Sequence, residues 1–177
     1  MKKHLFFGIF VGAIMLNVTG CWVPYEVDTA VVEQECEAYN AALSDYCTEH
    51  EIPYSLNPKT YNFKNGDCTV VVSANFTSDQ TVYNFGVWLD YYPGGTLDVR
   101  VEHSVYDLKE WDDFAKQIFA FLIQTYGSDK VADRACGKLE ALTEEKEIRI
   151  TSKSYLKQYV LENGSPTYIE FHERKKY

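Results

Sequence analysis

The chain lacks the short motifs that mark common enzymes and cofactor sites. It has only four histidines among 177 residues, and no two of them have the i, i+4 spacing of a helical metal site. A Cys-x-x-Cys pair, a Gly-x-Ser-x-Gly turn, a phosphate-binding glycine loop and a calcium-binding loop are all missing from the sequence. We therefore assign no residue to catalysis or to metal binding, and we expect no cofactor.

Lysine and arginine are absent from residues 21–58, a segment that contains eight acidic residues. The acidic residues are Glu26, Asp28, Glu33, Glu35, Glu37, Asp45, Glu49 and Glu51. The net charge of −9 for the whole chain disfavours nucleic acid and anionic lipid surfaces as partners. Residues 146–177 hold seven basic and four acidic residues, so the acidic segment could pair with this end or face a basic protein partner.

No apolar run reaches the roughly 20 residues that a membrane-spanning helix requires. The longest run, residues 5–16, follows Lys2 and Lys3 and precedes Val18-Thr19-Gly20-Cys21. A basic start, a short apolar stretch and small residues before the cut are typical of a secretory signal peptide. The segment resembles a bacterial lipoprotein signal peptide that ends in a lipobox at Cys21; an uncleaved membrane anchor is the alternative.

The resemblance implies that residues 1–20 are removed and that Cys21 carries a diacylglyceryl group and an acylated amine. Two or more acyl chains hold a protein stably at a membrane. Residues 21–27 would then form a short lipidated tether, and residues 28–177 a single globular domain. Trp22 stands where an aspartate would favour the inner membrane. We therefore expect an outer-membrane lipoprotein that faces the periplasm, if the source has two membranes.

Four further cysteines, an even number, predict two disulfides in an exported protein. They are Cys36, Cys47, Cys68 and Cys136. Cys36 and Cys47 lie on one predicted helix, about 16 Å apart at 1.5 Å per residue. A disulfide needs Cα atoms within about 7 Å, so this pair is excluded. Of the two remaining connectivities we favour Cys47–Cys68 with Cys36–Cys136; free buried thiols are the alternative.

Apolar residues at three- and four-residue spacing predict three helices. The first helix covers residues 28–50, the second 108–126 and the third 129–146, with Ser128 as the N-cap of the third. Residues 53–66, which are rich in proline, asparagine and glycine, are predicted to form a loop.

Alternating polar and apolar residues predict six strands. Three strands joined by short loops favour an antiparallel meander, and the last two strands favour a C-terminal hairpin. The fold class is therefore α+β, an antiparallel sheet packed with two or three helices. Residues 174–177 are predicted to be a solvated basic tail. The strands are Thr69–Phe76, Thr81–Tyr92, Thr96–Tyr106, Glu147–Ser152, Tyr155–Glu162 and Thr167–Glu173.

The strand over residues 81–92 provides a candidate binding face. Trp88 and Tyr92 share one side of this strand with Gly86 and Asp90, and such aromatic side chains could stack on a sugar or hold a peptide. Tyr91 and Tyr92 also adjoin a Pro-Gly-Gly turn, so we expect at least one of their rings at the surface. We take Trp88, Tyr91 and Tyr92 as candidates; a helix covering this side is the alternative.

These observations favour a lipid-anchored cell-envelope protein with a non-catalytic binding or protein-interaction domain. An immunity-type protein that neutralises an exported toxin is one form of this hypothesis. The alternative is a small envelope hydrolase that uses carboxylates or a Cys–His pair, for which the histidines are His50, His103 and His172. His103 is expected on the inward side of its strand, as a core histidine.

Overall fold

The computed structural model describes residues 26–63, 65–105, 111–143, 147–160 and 167–177, with the backbone alone for residues 143, 159 and 160. The predicted signal peptide, Cys21 and the first residues of the second predicted helix lie outside these ranges. The helices are α1 (Thr29–Glu49), α2 (Asp113–Tyr126) and α3 (Asp129–Cys136), followed by a 3-10 turn at Glu140–Thr143. The strands are β1 (Tyr54–Asn62), β2 (Cys68–Ser78), β3 (Thr81–Tyr92), β4 (Thr96–Val105), β5 (Glu147–Thr151), β6 (Ser154–Val160) and β7 (Thr167–Lys176).

The strands form one antiparallel sheet in the order β1-β2-β3-β4-β7-β6-β5. The first four strands are a meander, and β7 returns to pair with β4 from Thr96↔Lys176 to Val105↔Thr167. The predicted α+β class with an antiparallel sheet is confirmed. The sheet is larger than the predicted meander and hairpin, because it contains β1 and because β7 joins the two halves.

The loop predicted over residues 53–66 is wrong for residues 54–62, which pair with β2 along their whole length. β1 is an edge strand, and every side chain in it except Leu56 is exposed. It therefore lacks the polar–apolar alternation by which strands are recognised. Pro58 is tolerated there because an edge strand has unpaired backbone groups on one side.

The helices pack on one face of the sheet. Asp28 caps α1 by accepting the N–H of Ala30 at 3.0 Å. Tyr91 on β3 donates to Glu35 of α1 at 3.0 Å. Tyr83 on the same side of β3 donates to Asp112, the N-cap of α2, at 2.6 Å. The core therefore lies between this face and the helices. Among the described residues, no helix is both long and apolar enough to cross a membrane.

The C-terminal end of β7 secures the junction between α2 and α3. Lys175 Nζ donates to the carbonyl oxygen of Tyr126, the last residue of α2, at 2.5 Å. Glu173 accepts hydrogen bonds from the backbone N–H of Ser128 at 2.8 Å and from its hydroxyl. The positive charge of Lys175 thus lies at the C-terminal end of α2, and the negative charge of Glu173 lies at the N-terminal end of α3. Each interacts favourably with the helix dipole there. The prediction of a solvated tail over residues 174–177 is confirmed for Arg174, Lys176 and Tyr177, which are exposed, but is wrong for Lys175, which is half-buried because β7 continues to Lys176.

Candidate functional site

The sheet face opposite the helices, which we call the open face, is covered by no helix in the described part of the chain. The strand register aligns its side chains in three rows, of which the central one runs across β3, β4, β7 and β6 and the other two each cross three of these strands. The central row is Trp88, Arg100, His172 and Tyr155. The aspartate row is Asp90, Asp98 and Arg174. The glutamate row is Glu102, Glu170 and Lys157.

The central row is built by stacking. The guanidinium carbon of Arg100 lies 4.6 Å from the centroid of the Trp88 ring, a distance at which cation–π attraction operates. His172 stacks on Tyr155 with ring centroids 5.0 Å apart. The Trp88 ring lies over Gly86, where a Cβ atom would overlap its Cη2 and Cζ3 atoms. A side chain at residue 86 would therefore displace the ring from this position.

Two nitrogen atoms at the middle of the central row are buried without a hydrogen-bond partner in the structure. They are Arg100 Nε and His172 Nδ1, and their residues are direct cross-strand partners. Arg100 Nε lies 3.5 Å from Glu102 Oε1, which is an ion pair without hydrogen-bond geometry. Buried polar atoms are almost always hydrogen-bonded in folded proteins, so these two nitrogens indicate a place that a ligand or water would fill.

The aspartate row is fixed by hydrogen bonds to neighbouring strands. Thr69 Oγ1 donates to Asp90 at 2.6 Å. Arg174 donates from Nε and Nη2 to the two oxygens of Asp98, each at 2.6 Å. Bidentate pairs of this kind fix orientation as well as charge, and Asp98 is only 8% exposed. One side of the central row is therefore lined by carboxylates whose positions are set.

The glutamate row places two carboxyl groups directly opposite each other. Burial raises the pKa of Glu102, Arg100 lowers it, and the charge of Glu170 together with a hydrogen bond to it raises it, with a net upward shift. Glu170 is 5% exposed and accepts a hydrogen bond from Tyr155 Oη at 2.8 Å. Like charges directly opposite each other destabilise a sheet, so this pair favours a shared proton or a bound hydrogen-bond donor.

The three rows line an open cleft of about 440 Å³, a volume within the roughly 300–1,000 Å³ typical of small-molecule sites. Its lining combines carboxylates, cations and aromatic rings. The lining residues are Asp90, Asp98, Arg100, Tyr155, Lys157, Glu170 and His172. Among the described residues, no three His, Cys, Asp or Glu side chains are arranged to hold a metal ion.

The candidate binding face predicted from the sequence is only partly at the surface. Trp88 and Tyr92 lie on the open face and are half-buried. Tyr91 is 0% exposed and points into the core, so including it in the binding face was wrong. The sequence did not indicate Arg100 and His172 as a pair, because they meet only through the pairing of β4 with β7.

The histidines occupy three different environments. His103 is buried, with Nδ1 2.8 Å from the backbone oxygen of Asn84, in the core position expected for it. His50 is exposed at the end of α1 and contacts the ring of Tyr46. His172 lies on the open face, whereas Cys68 faces the helices and the other described cysteines are on them. A Cys–His pair with His172 is therefore excluded, because the sheet separates the two groups.

The four described cysteines are free thiols. Cys68 begins β2 beside the start of α1, where the N–H of Val27 donates to the carbonyl of Gly66 at 3.0 Å. Cys47 lies at the other end of α1, and the residues after it reach Thr77 near the end of β2. The favoured Cys47–Cys68 pairing does not fit this fold, because the two residues lie at opposite ends of β2.

The favoured Cys36–Cys136 pairing does not fit either. Cys136 on α3 contacts the carbonyl of Ala120 on α2. α1 packs against α2 through the stacked rings of Tyr46 and Phe121, 3.7 Å apart. Because α2 lies between α1 and α3, Cys36 and Cys136 are on opposite sides of it.

No protein-family model, no curated protein and no solved structure matches the chain. Its function is therefore inferred from the side chains themselves, and the open face is the part of the described structure where polar, charged and aromatic groups converge on a cleft.

Proposed function

We propose that this protein is a lipid-anchored binding domain of the bacterial cell envelope and that the open face of its sheet is the binding surface. The observation that carries the proposal is the cleft of about 440 Å³, with the unpartnered nitrogens of Arg100 and His172 at its centre. A solvated sheet face commonly carries scattered polar side chains. Here they are held in fixed rows around a concave site, which supports a specific ligand.

Binding is favoured over hydrolysis because the carboxylates of the cleft are already engaged by neighbouring groups. Asp90 accepts a hydrogen bond from Thr69, and Asp98 accepts hydrogen bonds from Arg174. Glu170 accepts from Tyr155, and Glu102 lies beside Arg100. A general acid or base must be free to exchange a proton with its substrate, whereas groups held in this way orient a ligand.

The lipobox ending at Cys21 supports attachment to the membrane, on the outer membrane facing the periplasm if the source has two membranes. Val27 is buried, and its N–H is bonded to Gly66, so the chain is fixed to the domain six residues after Cys21. Six residues reach at most about 20 Å when extended. The domain would therefore lie close to the membrane surface, where ligands of the envelope are concentrated.

The proposal is tested by retention on envelope material. The protein with Cys21→Ser, which removes lipidation, is incubated with washed envelopes from its own source and sedimented. We expect retention that falls at least about tenfold in Arg100→Met, because a charge-assisted hydrogen bond is worth roughly 1.5–3 kcal/mol. The matched control is Lys130→Met, an exposed lysine on α3, which should bind normally. Equal retention of both variants, or none of the unsubstituted protein, would reject the open face as the binding surface.

A second candidate function is an interaction with a basic protein, including an immunity-type interaction. Seven of the eight acidic residues in the segment 21–58 are exposed along α1 and its ends, all except Glu35. The ion pairs within the described ranges are Arg100–Glu102, Lys116–Glu140 and Arg174–Asp98, so the acidic side of α1 takes part in none. A partner bound there should be released by high salt, and by the triple variant Glu33→Lys, Glu37→Lys and Asp45→Lys but not by Arg100→Met.

A further inference from the structure

Charges of both signs surround the open-face cleft in nearly equal number. The carboxylates are Asp90, Asp98, Glu102 and Glu170, and the cations are Arg100, Lys157 and Arg174. A surface with charges of one sign would select a ligand of the opposite charge. The mixed charges around this cleft select neither an anionic nor a cationic ligand.

The cleft nevertheless requires a polar ligand. Arg100 Nε is a donor that lacks an acceptor, and His172 Nδ1 is a ring nitrogen that lacks any partner. The carboxylates of the two flanking rows have further lone pairs with which to accept hydrogen bonds. A matching ligand must therefore accept hydrogen bonds at the centre of the cleft and donate hydrogen bonds to the carboxylates at its sides. A hydroxyl group does both, and several on one small ring would satisfy all three rows.

Aromatic rings supply the remaining part of the site. Tyr155 lines the cleft and stacks on His172. Trp88 adjoins Arg100 at the other end of the central row. Tyr92 borders a smaller neighbouring depression that shares Asp90 with the cleft. Aromatic rings offer large apolar surface next to polar groups, which suits a ligand that has apolar C–H edges as well as hydroxyls.

We propose that the open-face cleft binds an uncharged polyhydroxylated ligand, an oligosaccharide. This inference rests on the binding function proposed above and gives its ligand class. The Arg100–His172 pair holds the ring hydroxyls at the centre. Asp98 and Glu170 accept hydrogen bonds from hydroxyls on either side, and Tyr155 packs against the C–H edge of the sugar.

The test uses the full-length, detergent-solubilised protein on a glycan array with matched charges. Chitotetraose is printed beside its de-acetylated, cationic form, and cellotetraose beside an anionic oligoglucuronate of the same length. We expect binding to at least one neutral probe. Binding should fall at least about tenfold for Arg100→Met and for a second variant, His172→Leu. The control Lys130→Met should bind as the unsubstituted protein does. Melting temperatures establish that each variant is folded, and a variant that does not fold is replaced by the other.

Three results would overturn the saccharide assignment: binding confined to the charged probes, binding to none of the four, or neutral binding that neither cleft variant weakens. The envelope assay separates this failure from failure of the proposed function. If envelope retention requires Arg100 but no neutral glycan binds, the ligand class is wrong and the open face remains the binding surface. If retention does not require Arg100, the proposed function itself fails.

Discussion

At the scale of single residues, Gly86 shows how a missing side chain positions a functional ring. Its backbone is not in the left-handed region, so the glycine is needed for space, since a Cβ would overlap the Trp88 ring. The ring lies at the end of a flexible side chain on the open face and can rotate away. We therefore expect Gly86→Ala to change the free energy of unfolding by less than about 1 kcal/mol while displacing Trp88 from Arg100.

The displacement can be measured by ¹⁹F NMR of protein labelled with 5-fluorotryptophan, with Trp88→Phe used to assign the resonance. The matched control is Ser73→Ala, because Ser73 is the cross-strand partner of Gly86 on β2 and is exposed. A Trp88 resonance that stays in place in Gly86→Ala would show that the glycine is not what positions the ring.

The pair Glu102–Glu170 gives a second prediction at this scale. Because the pKa of Glu102 is raised in the folded state, the folded protein holds more protons than the unfolded one just above the usual carboxyl pKa. Stability therefore falls as the pH rises through that window. Glu102→Gln removes this cost, so we expect it to raise stability at pH 7 by up to about 1 kcal/mol and to have little effect at pH 4.

Urea denaturation at the two pH values checks this prediction, with the exposed residue Glu49 changed to Gln as the control. A loss of stability at pH 7 in Glu102→Gln would mean that the ion pair with Arg100 outweighs the repulsion between the two carboxylates.

At the scale of elements, the accuracy of sequence-based prediction depended on where each segment buries its apolar residues. α1 and β2–β4 carry their own periodicity, so their type and approximate bounds were predictable. β1 has no such periodicity, since all of its side chains except Leu56 are exposed. It is a strand because it pairs with β2. The end of β7 is rich in basic residues and was taken for a solvated tail. Lys175 is half-buried there because it caps the carbonyl end of α2.

The same dependence on pairing explains what was missed in the site. The residues of β4 that point outward were predictable from alternation, and Trp88 and Tyr92 were correctly placed on one side of β3. The other half of the central row, His172 on β7 and Tyr155 on β6, comes from more than 50 residues later in the chain than Arg100. Local patterns carry no information on that pairing, so the cleft emerges only in the assembled sheet.

The junction of α2 and α3 leads to a prediction at the element scale. Lys175→Met removes the donor to the Tyr126 carbonyl and leaves a buried acceptor unsatisfied, which costs about 1–3 kcal/mol. Lys176→Met is the matched control, because its ammonium bonds Gly94 and Thr96 at an exposed position, where the effect should stay within about 0.5 kcal/mol. Thermal unfolding of the two variants tests this, and equal melting temperatures would contradict a structural role for Lys175.

At the scale of the whole molecule, the proposed location at the membrane depends on Cys21, which lies outside the described residues. If Cys21 is the lipid attachment site, Cys21→Ala should move the protein from the membrane fraction to the soluble fraction. None of the described helices can anchor the protein by spanning the membrane. Ultracentrifugation and metabolic labelling with a fatty acid measure the two effects. Membrane association that persists without label incorporation would contradict lipid anchoring at Cys21.

Export would also expose four thiols to an oxidising compartment, and the whole fold limits how they can pair. Cys68 is the cross-strand partner of Tyr91, whose hydroxyl bonds Glu35, the neighbour of Cys36. We therefore expect any native disulfide to join Cys36 to Cys68. Burial raises the pKa of Cys47 and Cys136 to about 11. These thiols should stay protonated at pH 8 and react with iodoacetamide only after unfolding. Non-reducing peptide mapping would identify which cysteines are joined. A disulfide between Cys47 and Cys68 would contradict the arrangement of α1 on the sheet.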